Sequence, residues 1–142
     1  MRAKEAHDVV TLLASTTVAG PQAATESDAV RLPRPANGLI FVLNVTAAKT
    51  DAADTLDLKV QTMIDGVGWV DVCYFTQVLG NGGALKHIGK IMCGTAEAMF
   101  VDAASAAGDV RHLFGDEWRV SYVTVDADAD AEFTFGVTAL AF

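Results

Sequence analysis

Apolar and polar residues alternate most regularly in TLDLKVQTMIDGVGWVDVCYFTQV, Thr55 to Val78. Leu56, Leu58, Val60 and Thr62 fall on one side of an extended chain and Asp57, Lys59 and Gln61 on the other. That period of two buries one face of a strand and leaves the other in water. Asp65-Gly66 supplies the positive φ of a tight turn, and a returning strand starts at Trp69 and runs through Val78. The segment predicts a β-hairpin.

Other stretches read as strands too. VVTLLASTTV, Val9 to Val18, is rich in β-branched residues that suit a pleated surface, and Gly20-Pro21 ends it. Residues 19–37 are polar and broken by Pro33 and Pro35, which predicts an extended connector over the surface. Gly38 to Val45 is apolar at nearly every position, the pattern of a strand covered on both faces, by a second sheet and in part by a neighbouring subunit. Gly80 to Gly83 reads as a turn, with LKHIGKIMCG and AEAMFVDA as shorter strands after it. Ala96, Met99, Phe100 and Ala103 also fit helical spacing with a glycine cap at Gly108, and the strand reading is preferred. VRHLFGDE predicts a 3₁₀ turn leading into Trp118–Val125, and Glu132–Phe142 mirrors that strand across a hairpin. About eight short strands without a long helix predict an all-β fold, a two-sheet antiparallel β-sandwich of jelly-roll kind. Residues 1–142 form one domain on this reading, with 1–8 as a flexible N-terminal arm.

Composition sharpens this. Hydrophobic residues make up 51% of a 142-residue chain, which points to apolar surface meeting another chain. Eighteen acidic residues against ten basic ones give a net charge of −8, which repels phosphate and argues against nucleic acid. MRAKEAHDVV lacks an apolar signal core, and no run approaches the ~20 apolar residues of a membrane span, so neither standard export nor membrane insertion is expected. Cys73 and Cys93 are too far apart for a C-x-x-C unit and read as two buried free thiols.

The most chemical-looking stretch is VTVDADADAEFTF, with Asp126, Asp128 and Asp130 at alternate positions. An EF-hand loop starting at Asp126 would need glycine where Ala131 stands and glutamate where Val137 stands. The preferred reading is the solvated apex of a hairpin rather than a calcium site. His7, His87 and His112 lack metal-ligand spacing, and Ser15, Ser27, Ser105 and Ser121 lie in no G-x-S-x-G elbow. GNGGALKH fits no phosphate-binding pattern. No catalytic, cofactor-binding or metal-binding residue is therefore assigned. Trp69, Trp118, Tyr74 and Tyr122 would be able to stack on sugars if exposed, but their strand positions point them to a core or an edge.

From about Leu32 to Phe142 the chain resembles the small β-sandwich virion proteins of tailed bacteriophages, in particular capsid decoration or cement proteins. The residues that carry the resemblance are LPRPANGLIFVLNVTA, the hairpin DLKVQTMIDGVGWVDV, and the closing LFGDEWRVSYVTV and AEFTFGVTALAF. The part before Val30 lies outside it. The resemblance implies a structural protein rather than an enzyme, made in the host cytoplasm and placed on the capsid surface. It implies a homotrimer bound to the major capsid protein. Met1 to Asp8 is expected to be the docking arm on separate grounds, since a short extended piece adds as a strand to an exposed sheet edge. Two other classes stay open: a glycan-binding adsorption protein, marked by exposed Trp69 and Trp118, and a hydrolase, marked by a histidine converging with a carboxylate or serine.

Overall fold

The computed structural model describes residues 9–48, 50–126 and 130–142, so the arm 1–8 and Asp128 lie outside the described residues. The strands are β1 (Val9–Ala19), β2 (Gln22–Glu26), β3 (Val30–Arg31), β4 (Gly38–Ala48), β5 (Thr55–Ile64), β6 (Gly68–Tyr74), β7 (Val78–Leu79), β8 (Leu85–Met92), β9 (Glu117–Val125) and β10 (Glu132–Ala141). They form two antiparallel sheets packed face to face. Sheet 1 has the order β1-β10-β4-β8; sheet 2 has the order β2-β9-β5-β6, with β3 also beside β9 and β7 beside β5.

Alternation builds the core. Leu39, Phe41, Leu43 and Val45 of β4 and Phe133, Phe135, Val137 and Ala139 of β10 point inward from sheet 1. Leu56, Leu58 and Val60 of β5 and Trp118 and Val120 of β9 meet them from sheet 2. Each fully buried large aliphatic or aromatic side chain contributes about 1.5 to 3 kcal/mol over its exposed state. Phe41 packs against Trp118 at 5.5 Å and Tyr122 meets Phe135 edge-on at 5.2 Å, so aromatic pairs tie the sheets together.

The β5–β6 hairpin forms as the alternation predicts, turning at Gly66 with φ of 77°. Its second strand stops at Tyr74, and Val78–Leu79 returns as β7 to pair with the start of β5. Residues 19–37 are extended, yet β2 and β3 within them hydrogen-bond to β9. A polar edge strand shows no apolar alternation, which is why it reads as a connector.

Three expectations of local structure and pairing fail. Ala96–Ala103 is not a strand: Met99 is 99% exposed, and the regular structure here is a short 3₁₀ helix at Asp102–Ala104 instead of one in VRHLFGDE. Without a sheet edge to join, its apolar side chains gain nothing from extension. Nor do Trp118–Val125 and Glu132–Phe142 form a hairpin, because β9 pairs with β5 and β2 while β10 pairs with β1 and β4. Both strands bury one face, and opposite sheets let those faces pack on each other across the core.

Candidate functional site

The two outer faces differ in chemistry. On sheet 1, Ile40, Val42 and Asn44 of β4 stand beside Leu140, Thr138 and Gly136 of β10 and beside Lys90, Ile88 and Lys86 of β8. Val9 and Thr11 of β1 extend the first two rows past Leu140 and Thr138. Val9 is 64% exposed and Ile88 68% exposed. Across all four strands Glu132 is the single carboxylate, although the chain carries 18 acidic residues. The register of β1 against β10 shifts on both sides of Leu13, and Gly136 beneath carries no side chain. There the face sinks into a depression of about 370 Å³ lined by Thr11, Ala14, Ser15, Asn44 and Thr138.

The outer face of sheet 2 carries a charged network. Asp71, 6% exposed, accepts hydrogen bonds from Lys59 Nζ at 3.0 Å, Gln61 Nε2 at 2.8 Å and Ser105 Oγ at 2.8 Å. Arg119 Nε donates to Gln61 Oε1 at 2.8 Å, and its guanidinium lies over Trp69 at 4.4 Å. Burial pulls the Asp71 carboxyl upward, but the bonds from Gln61, Lys59 and Ser105 and the Lys59 charge outweigh it and hold the group below its ordinary value. The network joins β5, β6 and the segment after the 3₁₀ helix, which gives it a structural role.

The aspartates singled out in the sequence part company. Asp126 Oδ2 accepts the Ala131 N–H at 3.4 Å. Asp130 instead meets Asp51 and Asp54, with carboxylate oxygens all within 4.8 Å of one another. The links from β4 to β5 and from β9 to β10 each cross between the sheets, and the cluster forms where residues of the two links come together. Asp54 is buried, and its carbonyl accepts the Gly80 N–H at 2.8 Å. Three such oxygens are the type of donor a hard cation takes, and calcium takes roughly six to eight. Asp51 and Asp54 escaped the sequence reading because their partner comes from a link some eighty residues on; the available signal was D-x-x-D between two strands.

The remaining candidates are spread through the fold. His112 Nδ1 accepts the Met92 N–H at 3.0 Å, and the His112 N–H donates to Glu97 at 2.7 Å. Burial lowers the His87 pKa. Ser27 Oγ accepts the Val120 N–H and Ser105 Oγ donates to Asp71, so both hydroxyls fasten strands or loops. Trp118 is 2% exposed, in the core, and Trp69 lies under Arg119. Cys73 is buried, with its thiol pushed up to about 12 by desolvation, whereas Cys93 is exposed rather than buried as expected. A second cleft of about 400 Å³ lies at the Pro33–Pro35 segment, floored by Leu39, Phe114 and Trp118 and rimmed by Arg31, Arg34 and Asp116. No family model, curated protein or solved structure matches this chain.

Proposed function

We propose that this chain is a structural virion protein of the capsid-decoration kind, a self-associating sandwich that binds a major capsid protein shell and stabilises it. Many equivalent weak contacts on such a shell add through multivalency, so no single contact has to be strong. The observation that carries the reading is the outer face of sheet 1, where Ile40, Val42, Leu140 and Ile88 stand among Thr, Asn and Lys with Glu132 as the single carboxylate of its strands, in a chain of net charge −8. A surface of that character serves contact with protein better than solvation. On this reading the sandwich is of jelly-roll kind. In support, the pairs nest outward from one hairpin: β5 with β6, β4 with β8, β2 with β9 and β1 with β10. Jelly rolls are frequent in viral coats and also in lectins, so this support is by analogy of fold. The decoration reading is preferred to glycan adsorption because Trp118 sits in the core and Trp69 is already stacked under Arg119.

The test mixes the full chain with expanded tailed-phage shells. Saturable co-sedimentation and a higher shell rupture temperature are expected. Absence of binding, or binding to a host glycan with shell stability untouched, overturns the reading.

A further inference from the structure

The strands of sheet 1 hold Lys86, Lys90 and one acid, Glu132, so with His87 neutral they sum to +1 in a chain of −8. Sheet 2 places four acids, Glu26, Asp57, Asp71 and Glu117, and three bases, Arg31, Lys59 and Arg119, on its strands, a sum of −1. Two copies approaching through most of their surface bring carboxylates together, and like charges brought face to face in this way are disfavoured. The outer face of sheet 1 is where that obstacle is missing.

Its relief is also self-complementary. Ile88 projects from β8 in the row of Val42, Thr138 and Thr11, and Thr11 and Thr138 wall the depression towards the β1 side. A two-fold rotation about an axis parallel to the strands exchanges those sides, laying each β8 over the other copy's β1. A patch that carries both the knob and the hole is what an isologous interface requires.

We propose that the outer face of sheet 1 is a self-association surface, packed face to face on the same face of a second copy across a two-fold axis, with each Ile88 directed to the other copy's Thr11 at the wall of the depression. Four strands at about 4.8 Å and about nine residues at about 3.4 Å give roughly 600 Å² per copy, about 1,200 Å² for the pair. That is the lower bound of a specific, stable interface. Stacked sheets pack about 10 Å apart with strands within about 30°, the geometry expected of the pair. The proposal deepens the decoration reading, on which it rests for self-association. It replaces the three-fold assembly implied by the resemblance, since one self-complementary face gives a dimer.

Sedimentation equilibrium of the full chain at micromolar concentration is expected to show a dimer. Ile88→Asp and Val42→Asp should each weaken it at least tenfold with circular dichroism and melting unchanged, while Val101→Asp, on an exposed loop, leaves it intact. A monomer, a trimer, a dimer indifferent to Ile88→Asp, or a monomer whose shell binding alone is lost in Ile88→Asp overturns the proposal. A dimer with these properties that ignores shells leaves the interface standing and defeats the decoration reading.

Discussion

Replacing Asp71 by Asn removes one charge and almost no volume, yet the network cannot absorb it. Asp71 Oδ2 receives donors from Lys59 and Ser105, and Oδ1 receives one from Gln61. An amide NH₂ placed on either side faces a donor, and Gln61 cannot simply turn over because its Oε1 holds Arg119. Hydrogen bonds to a charged group contribute about 1.5 to 3 kcal/mol each, so after relaxation the substitution should cost about 2 to 4 kcal/mol. For a domain of this size that lowers Tm by roughly 6 to 14 °C. Urea unfolding of both proteins across pH provides the assay. The folded-state pKa of Asp71 lies below the ordinary 3.8, so its contribution is fully present above that value and is lost as pH falls through the lower, folded one. The difference between the two proteins should stay constant from neutral pH to about 5 and narrow below about 4. A cost under about 0.5 kcal/mol at pH 7, or a cost that persists undiminished in acid, refutes the electrostatic account.

Gly89→Ala would drive a methyl into the Cys73 sulfur across the sandwich, so a loss of about 1 to 3 kcal/mol is expected in urea unfolding. Adding Cys73→Ala should recover part of it; no recovery places the strain elsewhere. With Cys73 near 12 and buried, a disulfide reagent at pH 8 should label Cys93 alone in the native protein and both thiols in denaturant, and rapid native labelling of both contradicts that burial. EDTA is expected to leave the melting temperature unchanged. A drop that calcium reverses would instead show that Asp51, Asp54 and Asp130 hold a cation, worth about 2.7 kcal/mol at a hundredfold excess over Kd.

The long strands were legible because their chemistry is local. β4, β5, β9 and β10 each carry a run of inward residues at every second position, and Asp65-Gly66 marks its own turn. Sheet membership was not legible, because alternation says that Phe133 and Trp118 are buried without saying which neighbour lies beside each. β2 escaped because its residues are largely exposed and its pairing is entirely backbone. Ala96–Ala103 misled for the opposite reason, having apolar spacing without any surface to bury it on. The site followed the same division: Asp130 announced itself in the sequence, but its companions Asp51 and Asp54 are neighbours only through the crossing of two links.

The pairing of β1 with β10 bears on how the molecule is made. Val9 lies opposite Leu140, so β1, made before the rest of its sheet, waits for β10 before the one edge it pairs through is closed. Folding dominated by such distant pairings is slow, and chain growth at about 5 to 20 residues per second leaves a waiting time of many seconds. During it the Val- and Thr-rich β1 is an unpaired edge, open to the β1 or β10 of a neighbouring nascent chain on the same messenger. Exchange of β1 and β10 between chains is then the characteristic error of synthesis, and slower translation of the codons for β9 and β10 should increase the yield of intertwined species.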